Sequence, residues 1–336
     1  MKVKAVQETK LRKLIVGPDD GAEPIIDFVQ QAKKTIRLKQ FKMVEPAMLQ
    51  ALAGAAARGV DVRLILNEIR TDGDRLNDET RSLMEEAGVQ VHWGPQNLAL
   101  THEKSIVVDD RQALIATFNI CPTCLSKTRD YGIITVDEDE VEEISFCFEA
   151  DWEGRPFKPL PHSTLIWSPY DTRPRVAAFI DSAKNTLDIQ HPKLSDTTIL
   201  ERILAAKKRG VRVRFLCGGK HGIKEYDVLD SFSSWRILQH AGIRVRRQKQ
   251  LKLHSKLLLA DGKKSLISSF NLHHNAFDLR RELGIVIEEK DLNDRLKAIF
   301  QSDWDTAQNY KVPDPLRHHR PDPEEPPDDP SFSHEW

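Results

Sequence analysis

The hydrophobic positions of this chain change period in a regular order. "TIRLKQF" at 35–41 alternates and reads as a strand, and "EPAMLQALAGAAARG" at 45–59 is a helix stopped at Gly59. "VDVRLIL" is a strand, "DETRSLMEEAG" a helix ending at Gly88, and "VQVHW" a strand. "EKSIVVDD" and "ALIATF" read as a hairpin turned near "DDRQ". "YGIITV" is a strand, and "EDEVEEISFCFEADW" a closing helix with apolar residues three and four apart. Strands alternating with helices predict an α/β sandwich with a mixed sheet.

The pattern then returns. "HEKSIVVDDRQALIATFN" from His102 matches "HSKLLLADGKKSLISSFN" from His254 at an offset of 152, and the same offset aligns Arg129–Trp152 with Arg281–Trp304. Upstream the offset is 151, and it reaches 154 at "EEAGVQV" against "QHAGIRV". The chain therefore reads as two copies of one domain-sized unit, about Arg12 to Gly154 and Pro161 to Asn309. We divide it into repeat 1 at 1–155, repeat 2 at 156–310, and a tail at 311–336 rich in proline and acidic residues, expected to be disordered.

Composition adds bounds. A hydrophobic fraction of 40% and a charged fraction of 30% over 336 residues read as a soluble globular protein, and a formal net charge of −1 announces no polyanionic partner. Cys121, Cys124, Cys147 and Cys217 do not make a disulfide framework, so a reducing, cytoplasmic setting is expected. The N-terminal stretch lacks an apolar core of signal-peptide length, and no run approaches the roughly 18 apolar residues of a membrane span. An enzyme of this kind acting on lipid would visit the membrane from solution.

The chemistry lies in what the copies share. His102, Lys104, Asp109 and Asn119 recur as His254, Lys256, Asp261 and Asn271. A carboxylate follows each histidine after 28 residues, Asp130 and Glu282, preceded by Arg129 and Arg281. Strand alternation would put His254 and Lys256 on one face, with Leu257 and Leu259 on the other. Intervening apolar residues have drifted, while these polar ones have not. A phosphodiester is an anion that repels nucleophiles, so its cleavage needs positive charge and donors around the non-bridging oxygens. Two lysines and two asparagines supply them. One neutral imidazole can attack phosphorus, and the other can protonate the leaving oxygen and then activate water or an alcohol. Asp130 and Glu282 can each fix an imidazole tautomer. This chemistry requires no cofactor and no metal.

H-x-K-x4-D followed by a small residue, a hydroxyl residue, any residue and Asn, present twice, resembles the signature of the phospholipase D superfamily. The resemblance implies two tandem phospholipase D-like α/β/α sandwich lobes related by a pseudo-twofold, with one shared active site and a covalent phosphohistidine. It implies His102 as nucleophile, His254 as general acid and base, Lys104, Lys256, Asn119 and Asn271 on the phosphate, and Asp109 and Asp261 as more structural than chemical. Family members often carry Gly-Ser before x-Asn; here Ala116-Thr117 and Ser268-Ser269 stand instead. Thr117 and Ser269 keep a hydroxyl near the phosphate, and the added Cβ is expected to trim the pocket.

Four stretches stand apart. "CPTC" at Cys121–Cys124 reads as two small loop residues rather than a redox or metal pair, and His273-His274 either lines the cleft or begins a polar helix. "RVRRQKQLK" at 244–252 reads equally as a backbone-gripping patch or a solvated strand face, and "GGKHGIKEYDVLDSFSSW" as a flexible loop over the site. The resemblance favours a phospholipid enzyme, by headgroup hydrolysis or cardiolipin synthase-like phosphatidyl transfer, with transient membrane contact. A nuclease acting on DNA or RNA is the alternative, disfavoured by the formal net charge of −1, a poor match for a long polyanion. Oligomeric state is left open.

Overall fold

The computed structural model describes residues 11–69, 73–161, 163–219 and 225–314. Lobe 1 runs β1 (Arg12–Gly17), α1 (Glu23–Gln30), β2 (Thr35–Gln40), α2 (Pro46–Ala57), β3 (Asp61–Leu66), α3 (Asp78–Glu86), β4 (Gln90–Trp93), β5 (Leu100–Thr101), β6 (Ser105–Val108), β7 (Gln112–Ala116), α4 (Pro122–Ser126), β8 (Thr128–Thr135) and α5 (Glu138–Trp152). Lobe 2 repeats this order: β9 (Leu165–Ser168), α6 (Thr172–Ser182), β10 (Thr186–Gln190), α7 (Thr197–Lys208), β11 (Arg212–Cys217), α8 (Glu225–His240), β12 (Arg244–Arg247), β13 (Lys252–Leu253), β14 (Leu257–Ala260), β15 (Lys264–Ser268), α9 (His274–Asp278), β16 (Arg280–Ile287) and α10 (Lys290–Thr306), then a short β17 (Gln308–Asn309).

The sheet orders are β1-β8-β7-β6-β2-β3-β4 and β17-β12-β11-β10-β14-β15-β16, with β9 also on β16. Both are mixed, as the alternating pattern predicts. The leading strand and helix of each lobe, β1-α1 and β9-α6, fall outside the elements read from periodicity. The stretch read as a flexible loop is mostly α8; its residues 220–224 lie outside the described residues, as does the tail from 315.

Local chemistry sets the element ends. The Asp137 carboxylate accepts from the Glu140 amide to start α5, and Asp196 does the same for Ile199 in α7. Asp109 and Asp261 sit at left-handed backbone positions, φ 55° and 54°, which aspartate tolerates better than most residues. Asp109 accepts from the amides of Lys33, Lys34 and Thr35, and Asp261 from those of Lys184, Asn185 and Thr186. Each therefore ties a hairpin turn to the start of the neighbouring strand. These are architectural contacts.

Each sheet buries its outer face under helices of its own lobe: α1 and α2 pack over lobe 1, and α6, α7 and α8 over lobe 2. The inner faces meet in a core both lobes share, built from Val107, Ile115 and Ile133 against Leu257, Ile267 and Leu283, with α5 and α10 contributing. The repeated glycine of "YGI" and "LGI" belongs to the outer core of each lobe, where Phe118 and Phe270 pack. A Cβ on Gly284 would lie 2.8 Å from the Phe270 ring, so glycine lets the aromatic lie against the strand.

The lobes also exchange short strands. β5 leaves lobe 1 to pair in parallel with β16, and β13 leaves lobe 2 to pair with β8. These two strands lead directly into His102 and His254.

Candidate active site

Strand exchange delivers each histidine to the other lobe's carboxylate. The His102 amide donates to the Arg281 carbonyl at 2.9 Å, and the His254 amide to that of Arg129 at 3.3 Å. His102 Nδ1 is then 2.8 Å from Glu282 Oε2, and His254 Nδ1 is 2.9 Å from Asp130 Oδ1. Nδ1 of each ring is thus engaged by a carboxylate, leaving Nε2 as the nitrogen for chemistry. Residues 102–104 and 254–256 are connections rather than strands, so the single-face expectation for His254 and Lys256 rests on the wrong element. They still converge: the Lys104 and Lys256 ammonium groups donate to the carbonyls of His102 and His254, both at 2.7 Å. His102, Lys104, Asn119, His254, Lys256 and Asn271 are all buried, at 6% exposure or less.

Two expectations need correction. The Thr117 hydroxyl donates to Asp130, and Ser269 donates to Glu282 at 2.7 Å, while both accept from the amides of Tyr131 and Leu283. These hydroxyls are used in aiming the carboxylates rather than in reaching the phosphate. Ala116 packs into the lobe 1 core with Phe118, and the Ser268 hydroxyl turns to the Phe270 carbonyl. The Cβ atoms that replace glycine therefore do not trim the reacting centre.

The neighbouring stretches resolve differently. Cys121 and Cys124 form a disulfide, against the reading of two unlinked loop residues, and Cys121 caps α4. The cysteine content therefore gives no argument for a reducing compartment. His273 is the buried cap of α9, while exposed His274 pairs with Asp278 at 2.7 Å. Arg246 donates to the Trp304 carbonyl and stacks over that ring, and Arg247 is buried near Tyr310, so two of the five basic side chains of this run are packed rather than offered to a polyanion. Among the described residues no helix is long and apolar enough to cross a membrane.

Sequence reasoning also missed residues. Phe41 lies edge-on to His102 at 4.8 Å and below the Lys104 ammonium at 5.5 Å. Behind the histidines, Arg129 pairs with Asp303 at 2.8 Å and Arg281 with Asp151 at 2.8 Å, each bridging the two lobes. Lys39 lies fully buried between Glu103 at 3.0 Å and Asp151 at 2.7 Å, beside Cys147. Glu103, Cys147 and Asp151 have metal-ligand spacing, but the Lys39 ammonium already lies among them. The alternation of "TIRLKQF" gives no sign that its lysine is buried.

The electrostatics distinguish the two halves. Burial opposes charge on Asp130, but His254, Lys256 and Thr117 hold its carboxyl below the usual range. Burial pushes Glu282 up to about 7, only partly countered by Lys104, Arg280 and Ser269. Burial lowers His254 to about 4 despite Asp130, and burial also lowers His102 well below the usual imidazole range, with Lys104 and Arg280 adding repulsion. His102 is thus the imidazole held neutral, and His254, against an ionised partner, is the better place for a proton. Burial also lowers Lys104 to about 7 and drives Lys256 well down.

An anion arriving between these groups favours their charged forms. Below about pH 7 Lys104 is already protonated; above it, anion binding must draw a proton from solvent. Sulfate, which stays a dianion, should therefore bind more weakly as pH rises through 7, with uptake approaching one proton near pH 8. Calorimetry in buffers of different ionisation enthalpy reads this directly, and pH-independent affinity would contradict it.

Two mixed-sheet lobes around one doubled histidine-lysine centre define a phospholipase D-like protein. The chain belongs to the family described as "Cardiolipin synthase, PLD-like domain", which matches at residues 25–152 and again at 176–304. It is 23% identical to a cardiolipin synthase of Staphylococcus aureus, over 84% of this chain and 66% of that protein, so it spans just under two thirds of that relative's length. Its fold is similar to a phosphatidylserine synthase from Haemophilus influenzae Rd KW20, with TM-score 0.68, 13% identity, and coverage of 91% of this chain and 88% of that one. It is also similar to a polyphosphate kinase from Porphyromonas gingivalis, with TM-score 0.69, 18% identity, and coverage of 86% and 46%.

Proposed function

We propose that this protein is a phosphatidyltransferase or phosphodiesterase of the phospholipase D type, acting on phospholipids through a covalent phosphohistidine. The observation that carries this reading is the crossed pair of contacts, His102 to Glu282 and His254 to Asp130. One centre then holds two imidazoles, each oriented through Nδ1 and each available at Nε2.

His102 Nε2 attacks phosphorus, and the P–O bond to the headgroup breaks. Protonated His254 gives its proton to the departing oxygen. The electron pair of that bond leaves with the headgroup alcohol. Neutral His254 then takes a proton from water or an acceptor alcohol, which attacks the phosphohistidine and restores both rings. Lys104, Lys256, Asn119 and Asn271 hold the non-bridging oxygens as charge develops on them. Substrate phosphate restores the lysine protons that burial disfavours. The cardiolipin synthase and phosphatidylserine synthase relatives support lipid over nucleic acid as substrate. Contact with a membrane surface during turnover follows from a lipid substrate.

The test is turnover of anionic phospholipid in mixed micelles by pure protein in excess EDTA, with glycerol or phosphatidylglycerol as acceptor. Lipid turnover is expected, with product identity separating hydrolysis from transfer. Cleavage of DNA without lipid turnover would replace this reading with a nuclease.

A further inference from the structure

The lobes match at the reacting centre but not beside it. Gln40, Lys42, Cys121 and Thr128 in lobe 1 correspond to His191, Lys193, His273 and Arg280 in lobe 2. Lobe 2 therefore carries more basic side chains at equivalent places. Thr128 is fully employed: its hydroxyl lies 2.5 Å from both the Asp130 carboxylate and the Cys124 carbonyl.

Arg280 is not. It stands two residues before Glu282 in β16, so alternation puts both side chains on one face. Its register partner in β5 is Leu100, two residues before His102. Yet its guanidinium makes no hydrogen bond or ion pair among the described residues, and its Nε is buried without an acceptor. Glu282 Oε1 is also unpartnered, so Arg280 is not simply the counter-ion of Glu282. Only Nε is buried, so an anion bound here would give it an acceptor while the rest of the guanidinium stays reachable from solvent. Buried His273 follows Asn271 by two residues, and the bridge of Leu194 to Leu272, with the Ser195 amide donating to the Leu272 carbonyl at 2.8 Å, sets Lys193 alongside this segment; His273 also feels the charges of Arg280 and Lys193.

We propose that Arg280, with His273 and Lys193, forms a second anion subsite on the lobe 2 side of the reacting centre, which takes a further phosphate of the substrate or acceptor. This rests on the function proposed above. It selects doubly phosphorylated ligands over singly charged or zwitterionic headgroups. The second phosphate is joined to the first either directly, as in a phosphoanhydride, or through a glycerol-length bridge.

Three probes separate these cases by calorimetry on the full chain: inorganic phosphate, methylenediphosphonate and propane-1,3-diyl bisphosphate. One of the two probes with a second phosphate-like group should bind roughly tenfold tighter than phosphate, as an added charge-assisted contact allows. Preference for the methylene probe identifies an anhydride, and preference for the propane probe a glycerol bridge. Arg280→Thr, which copies lobe 1, should abolish the preference while weakening phosphate less than about threefold, and Arg280→Lys should keep most of it. Equal affinities for all three probes in the wild type overturn the subsite, as does equal loss of all three in Arg280→Thr. Phosphate binding that persists in either case leaves the proposed function standing. Failure of the wild type to bind any probe overturns that function along with the subsite.

Discussion

Replacing His102 with Asn should abolish turnover, by roughly 10⁴-fold or more, without unfolding the protein. Asparagine retains polarity in a buried position and can still meet Glu282, but it offers no nitrogen that can attack phosphorus. His254→Asn should fail differently. Attack by His102 does not require His254 when the leaving group is a good one, such as p-nitrophenolate, so phosphoenzyme should accumulate and then hydrolyse slowly. A burst of one nitrophenol per protein, with acid-labile, base-stable label on a peptide holding His102, is the expected record. Label on His254 would reverse the roles. The electrostatic asymmetry favours the stated direction, since His254 lies against a carboxylate that stays ionised and His102 against one pushed up to about 7.

The largest expected effect on stability is at Lys39. Its ammonium is buried with Glu103, Asp151 and Cys147, and Asp151 in turn holds Arg281 across the lobe boundary. Burial alone would lower the Lys39 pKa, but Asp151, Cys147 and Glu103 more than offset it and raise it. Lys39→Met would leave Glu103 buried without its cation, which costs about 3–5 kcal/mol. Lobe 2 shows a neutral solution at the same place. There Gln190 donates to Asp303 at 2.7 Å and accepts from the Tyr131 hydroxyl at 2.7 Å, with Ser255 in the position of Glu103. Lys39→Gln combined with Glu103→Ser should therefore recover most of the loss. Urea denaturation of the single and double variants measures both. A loss below about 1 kcal/mol for Lys39→Met would mean that water reaches this cluster.

The repeat made most of the reacting centre legible. Comparing the chain with itself separates His, Lys, Asp, Asn and the following carboxylate from drifting apolar neighbours; all but the motif aspartates are buried, and each histidine meets the carboxylate of the other lobe. What stayed hidden depends on lobe-to-lobe geometry. Linear order does not say that His102 meets Glu282 rather than Asp130, because that pairing follows from where β5 and β13 cross. Periodicity read residues 254–256 as strand because flanking leucines alternate through them, whereas the ladder pauses there as the chain passes from one sheet to the other. Lys39 stays hidden because it follows Thr35 and Arg37 on the polar side of an alternating strand, which reads as a solvent-facing side. Thr117 and Ser269 were assigned to the phosphate by proximity in sequence, while their hydrogen bonds run backwards to the carboxylates.

The exchanged strands have a consequence for how such a chain changes over generations. A substitution in the first copy that shifts His102 is felt at Glu282 in the second, and one that shifts Asp130 is felt at His254. Duplicated genes ordinarily gain freedom because one copy can lapse while the other works. Here neither copy is a spare: each holds half of its partner's working pair. Divergence is thereby channelled away from the crossed pairs themselves and into flanking positions such as Thr128 and Arg280, where the halves can become different without either becoming dispensable.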